Sequence, residues 1–171
     1  MRTSTRRLRN LAVFAMLAAV MHASQFALQT IPGVQLHGLF IAAITLTYRV
    51  RALIPLYVYV ALHGATYGFL WSIPYLYIWL PLWGLFMLAG RLNLPKKALI
   101  PIYMVLCGVY GLSFGVLYAP FQAAMFGLSF KGVVAWVVAG LPVDIAHAVS
   151  NFAAGTLIVP LSELLRKLDR G

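Results

Sequence analysis

The chain has 171 residues, 63% of them hydrophobic and only 9% charged, with 13 Lys and Arg against 3 Asp and Glu for a formal net charge of +10. A water-soluble domain of this length cannot bury so much apolar material, so the composition excludes one and points to an integral membrane protein. The positive balance does not indicate nucleic-acid binding, because the basic residues flank apolar runs instead of forming one patch.

A helix needs about 20 residues to cross roughly 30 Å of hydrocarbon. Apolar runs broken by charge or by Pro/Gly turns predict six spans. The first covers 11–31 and ends at Pro32 and Gly33; the second covers 34–48 and stops at Arg49 and Arg51. The third occupies 53–73, before Pro74, and the fourth 75–90, bounded by Arg91, Lys96 and Lys97. The fifth runs over 98–118, and after a loop through Pro120 and Lys131 the sixth covers about 133–161. Arg6 and Arg7 before the first apolar run resemble a secretory signal, but the run continues to Ile31 and Met21 is not the small residue that a cut after Ala23 requires. An uncleaved first span is expected.

With a cytoplasmic N-terminus, Arg2, Arg6, Arg7 and Arg9, then Arg49 and Arg51, then Arg91, Lys96 and Lys97, then Arg166, Lys167 and Arg170 all fall inside. Only Lys131 is left outside, as the positive-inside rule requires. A five- or seven-span count puts a basic cluster on the wrong side. The predicted fold is therefore an all-α membrane protein, one six-helix transmembrane bundle with both termini cytoplasmic: a basic N-terminus at 1–10, a membrane domain at 11–161 and a basic C-terminus at 162–171. Cys107 stands alone, so there is neither a disulfide framework nor a Cys metal site.

Polar residues inside spans are costly in lipid and mark function by default. Asp144 is the one acid deep in a span. At about 100° per residue, Trp136, Gly140, Asp144, His147, Asn151 and Gly155 share an arc of roughly 100° on the sixth span. That stripe either faces a ligand, or satisfies itself and neighbouring helices, or relays protons. On the third span Tyr59, His63, Tyr67 and Trp71 recur every four residues, followed by Tyr75, Tyr77 and Trp79. Trp71, Tyr75 and Trp79 suit an interfacial aromatic belt as well as a pocket, whereas His63 and Tyr67 are pocket candidates because an imidazole facing lipid is poorly solvated. Aromatic walls with a few polar groups suit a flat heterocycle. Ser24, Gln25, Gln29, Gln35 and His37 make an amide-rich outer connection that serves either as a lid or simply as exposed loop; His22 reads as helix packing. Ala15, Ala19 and Ala23, like Gly108, Gly111 and Gly115, form small-residue ladders, which on spacing alone pack inside the bundle.

Six short spans, the Ala15/Ala19/Ala23 ladder, the polar first outer loop and the segment Gly140-Leu-Pro-Val-Asp144-Ile-Ala-His147-Ala-Val-Ser-Asn151 together resemble a substrate-binding S component of an energy-coupling factor vitamin transporter. The likeness covers nearly the whole chain. It implies an outward-facing pocket formed by the fourth to sixth helices and outer loops, cargo in the form of a vitamin or precursor, and association with a transmembrane coupling subunit and two ABC-type ATPases. It also moves Ala15, Ala19 and Ala23 from internal packing to the coupling-subunit interface. The substrate-binding residues expected on this reading are Asp144, His147, Asn151, Trp136, His63, Tyr67, Gln25, His37, Trp71 and Tyr75. The paired acids of thiamin binders are missing, which favours a neutral or weakly basic nitrogen heterocycle, such as a benzimidazole or ribazole precursor, a purine-like base or a thiamin precursor.

The chain is not expected to be an enzyme and needs no cofactor. It has no Gly-rich phosphate loop, no HExxH, no GxSxG and no acid cluster, and its four histidines are scattered. ATP hydrolysis belongs to partner subunits. The rival readings are a structural or assembly membrane protein and a small proton-coupled transporter using Asp144 and His147.

Overall fold

The computed structural model describes residues 2–170 and the side chains of 8–169. Arg2, Arg6, Arg7 and Arg170, counted above among the inside charges, have side chains outside that description. The described chain is helical with no strand: α1 (Arg2–Leu28), α2 (His37–Tyr48), α3 (Leu53–Tyr67), the single turn α4 (Phe69–Ser72), α5 (Tyr75–Ala89), α6 (Lys96–Leu112), α7 (Phe114–Phe126), α8 (Phe130–Ala154) and α9 (Ile158–Arg170). Five stretches among the described residues are long and apolar enough to cross a membrane: Leu8–Leu28, His37–Tyr67, Phe69–Ala89, Lys96–Phe126 and Phe130–Asp169.

The second of these stretches folds back on itself. A tight 3-10 turn at Arg49–Ala52 separates α2 from α3, and His37 and Tyr59, each eleven residues from Tyr48, bring their rings to 4.8 Å. The turn is set by Arg49, which takes φ 56°, a value rare outside glycine. Its side chain donates to the Met87 carbonyl at 2.7 Å and its carbonyl accepts from Trp83 Nε1 at 3.3 Å, so the strained residue is tied at both ends to α5. The Met87 bond also completes the C-terminus of α5. There the Phe86, Leu88 and Ala89 carbonyls accept from the amides of Gly90, Arg91 and Leu92 at 3.0, 2.9 and 3.1 Å, leaving none of the last four unpaired.

Ring contacts give the direction of each later pass. His63 meets Tyr75 at 4.4 Å, Phe86 meets Tyr103 at 5.3 Å and Phe114 meets His147 at 4.9 Å, so α5 runs against α3, α6 against α5, and α8 against α6 and α7. Arg9 donates to the Asp169 carbonyl at 2.8 Å, which brings the start of α1 beside the end of α9. Arg49, Arg166 and the Lys96–Glu163 ion pair lie at this same end. Lys131, in the first turn of α8, lies at the other.

On α1, Phe14, Ala18 and Met21 are buried on one face, while Ala15, Ala19 and Ala23 are exposed together with Met16, Val20 and Phe26. The two small-residue ladders therefore part company. The alanine ladder points away from the bundle, whereas Gly108, Gly111 and Gly115 are buried against α8. A Cβ at Gly111 would come within 2.6 Å of the His147 carbonyl oxygen, so α6 and α8 approach backbone to backbone as small residues permit.

Several predicted boundaries shift. The third span stops at Tyr67, because Gly68 at φ 101° ends the helix and starts α4. Pro120 lies inside α7 and not in a loop, since a proline forfeits only its own amide bond to the preceding turn and a helix can continue through it with a kink. The connection to α8 shrinks to 127–129, turned by left-handed Gly127. Trp79, a candidate for the interfacial belt, is 1% exposed and central.

Gly111→Ala is expected to lower stability by about 1–3 kcal/mol through overpacking. Gly140→Ala, with no atom within 4 Å of the added Cβ, should be neutral or gain up to roughly 1 kcal/mol in helix propensity. Thermal unfolding of both variants in detergent tests this; equal midpoints would contradict the α6–α8 packing.

Candidate functional site

The polar stripe of the sixth span lies on α8, and two of its members are engaged by helix ends. The first amides of a helix have no intrahelical acceptor. Asp144, 3% exposed, accepts the Gly115 amide through Oδ1 and Oδ2, both at 3.1 Å, at the second residue of α7. Asn151, 2% exposed, accepts the Gly38 amide through Oδ1 at 3.1 Å, at the second residue of α2, and donates to the His147 carbonyl at 2.8 Å. Glycine is required at both contacts because a Cβ at Gly38 would collide with Asn151 Oδ1, and one at Gly115 with Asp144 Oδ2. Seven residues is close to two helical turns, so one face of α8 caps two helices that start at different depths. His147 stands between the two caps, with Nδ1 3.8 Å from Asp144 Oδ1, beyond hydrogen-bond reach. That nitrogen is buried and unpartnered.

The second cluster is built from aromatic and imidazole rings on α2, α3 and α5. His37 stacks on Trp79 at 5.1 Å with a 27° interplanar angle. Trp79 also stacks with Tyr75 at 5.6 Å and 11°, and Tyr59 closes against His37 at 4.8 Å. His63 lies between Tyr67 at 4.8 Å and Tyr75 at 4.4 Å. Its Nδ1 pairs with Ser72 Oγ at 2.6 Å, and Ser72 Oγ also lies 3.1 Å from the Gly68 carbonyl oxygen.

The amide-rich connection anchors these rings. Tyr59 donates to Gln25 Oε1 at 2.6 Å, Tyr67 donates to Gln29 Oε1 at 3.2 Å, and His37 Nδ1 meets Gln35 Oε1 at 3.1 Å. His22 Nε2 pairs with Thr66 at 3.0 Å, the packing role expected of it.

Of the predicted binding residues, Gln25, His37, His63, Tyr67 and Tyr75 thus come together around Trp79. Asp144, His147 and Asn151 lie across Phe114, which touches both Trp79 (6.1 Å) and His147 (4.9 Å). Trp136 stacks on Tyr118 at 6.1 Å and 23°. Trp71 is 45% exposed at the rim, against Phe121 and Phe126. Sequence reasoning left out Tyr110, Phe114 and Tyr118, although they repeat every four residues as Tyr59, His63 and Tyr67 do. Outer-wall grooves differ in kind: one of about 370 Å³ between α6 and α8 is lined by Val105, Val109, Leu112 and Phe152 and presents almost no polar surface.

Four ring nitrogens in this system are buried with no hydrogen-bond partner: His22 Nδ1, His37 Nε2, Trp79 Nε1 and His147 Nδ1. An unpaired buried donor or acceptor costs about 1–3 kcal/mol, so these are the positions at which a bound group gains most. Comparison with protein-family models, with curated proteins and with solved structures gave no match.

Removing either cap should destabilise without needing any ligand. Asn151→Ala and Asp144→Ala are each expected to cost about 1–2 kcal/mol, and Asp144→Asn, which keeps one acceptor oxygen, less. Thermal midpoints in detergent check this, and an unchanged midpoint in both alanine variants would contradict the capping roles.

Proposed function

We propose that the protein is a membrane-embedded binding subunit for a small aromatic nitrogen heterocycle, a vitamin or vitamin precursor, which a transmembrane coupling subunit and two ABC-type ATPases help to import. The observation that carries this reading is the buried ring system around Trp79, with its unpartnered ring nitrogens. Stacked aromatic faces and a few polar atoms of unmet capacity form the recognition chemistry of a flat, polar ring. On this reading recognition centres on His37, His63, Tyr75, Trp79 and His147, while Asp144 and Asn151 hold the helices that carry them.

The topology proposed with it has six crossings and both termini cytoplasmic. It is supported by the turn at Arg49–Ala52, by the pairing of Arg9 with Asp169 and by the concentration of Arg49, Lys96 and Arg166 at that end. The coupling subunit docks on Ala15, Ala19 and Ala23, whose exposure on α1 leaves a smooth surface for another transmembrane helix. A structural or assembly role is the second reading, favoured by the use of Asp144 and Asn151 as caps.

Native mass spectrometry of the gently purified protein is expected to find a retained heterocycle and copurifying ATPase subunits. Ala19→Leu should reduce ATPase recovery severalfold and leave the retained small molecule in place. An empty chain without partners would favour the structural role.

A further inference from the structure

The recognition rings are closed off, with His37 and Trp79 only 2% and 1% exposed. The amide-rich connection beside them is pinned to α8. Ser150 Oγ donates to the Gly33 carbonyl at 3.2 Å, and a Cβ at Gly33 would collide with Ala146. A ligand bound for the rings needs another way in. The segment 68–74 is held differently. It begins at Gly68, whose φ of 101° ends α3, and Phe69, Leu70, Trp71 and Ile73 are all exposed. Behind it, between α3, α4 and α5, lies a cavity of about 380 Å³ whose walls include Tyr57, Val60, Ala61, Phe69, Ser72 and Leu76. That size falls within the roughly 300–1,000 Å³ of small-molecule sites. Ser72 belongs to both places. It lines the cavity, and its Oγ pairs with His63 Nδ1 at 2.6 Å. His63 in turn meets Tyr75 at 4.4 Å, and Tyr75 stacks with Trp79, so the cavity and the ring system meet at this one side chain.

We infer that the cavity behind α4 is the entry site for an uncharged aromatic ligand on its way to the rings, and that the Ser72–His63 pair is its latch. No charged residue lines the cavity, and both of its hydroxyls are already engaged. Tyr57 donates to the Leu76 carbonyl at 3.0 Å, and Ser72 Oγ, besides His63, has the Gly68 carbonyl oxygen at 3.1 Å. An ion entering there loses hydration and gains no partner, whereas a neutral ring loses little. The other polar hold on the segment is weak. The Tyr118 hydroxyl lies 3.4 Å from the Trp71 carbonyl oxygen, at the long limit of a hydrogen bond. Once the latch releases, Gly68 supplies the backbone freedom for α4 to move off the cavity. The inference rests on the heterocycle-binding reading and adds to it the route and the charge state of the ligand.

The test uses the full-length protein in nanodiscs at neutral pH, with quinoline and the N-methylquinolinium cation as probes and stopped-flow tryptophan fluorescence as the readout. The cation is expected to associate at least about tenfold more slowly than quinoline. Ala61→Phe, which fills the cavity, should slow association and dissociation of quinoline together by about tenfold and leave Kd unchanged, because a blocked route alters rates and spares affinity. Ser72→Ala should speed both rates severalfold. If that variant fails to fold, Ala61→Phe decides the matter. Unchanged rates in Ala61→Phe, equal association of the two probes, or acceleration by Ser150→Ala in place of Ser72→Ala would overturn the entry site and leave the binding reading standing. Absence of saturable quinoline binding to the unmodified protein would overturn both.

Discussion

Helix ends buried inside the bundle set the constraint on which this structure depends. Water cannot reach the unpaired amides and carbonyls there, so the protein must supply their partners. Helix α2 poses the problem most sharply. Its 12 residues rise only about 18 Å, and ten of them are buried, so both its ends lie within the bundle. The C-terminal arm provides for both. Asn151 of α8 accepts from Gly38 at the start of α2, and Arg166 of α9 donates to the Leu46 carbonyl near its end at 3.2 Å. Thr47 adds a bond to the Ser162 carbonyl at 3.3 Å. Asp144 does the same for α7, and Arg49 for the far end of α5.

This arrangement links fold to site. His37 is the first residue of α2, so the cap at Gly38 fixes the ring that stacks on Trp79. Phe114 opens α7, so the cap at Gly115 fixes the ring that joins Trp79 to His147. The polar residues of α8 thus position the aromatic system from behind. His147, placed between the two caps, keeps a free ring nitrogen within it.

Much of this was legible in the sequence. Hydropathy gave an all-helical chain with long apolar stretches, because a membrane-crossing helix obeys a strong length rule. The period of four in Tyr59, His63 and Tyr67 placed those residues on one face. Other features depend on distant partners and leave no local trace. Asp144 and Asn151 look alike in sequence whether they meet a ligand or a helix end; only the arrival of Gly115 and Gly38 distinguishes the cases. Trp79 reads as an interfacial residue until Tyr75 and His37 stack on it. Pro120 reads as a break because proline propensity is local, whereas the packing that carries α7 through it is not visible in the sequence. The alanine and glycine ladders have the same spacing, and only the side on which α8 packs separates an internal face from an outward one.

The turn at Arg49–Ala52 makes the short, internally capped α2 a pass of its own in the proposed six-pass topology. Its most direct test is single-cysteine labelling in intact cells with a membrane-impermeant thiol reagent, in a Cys107→Ala background, with cysteine placed in turn at Arg51, Lys97, Lys131 and Lys167. With six passes, position 131 is labelled and positions 51, 97 and 167 are protected until the membrane is opened. Labelling at 97 with protection at 51 and 131, as a single crossing by 37–67 would give, would contradict it.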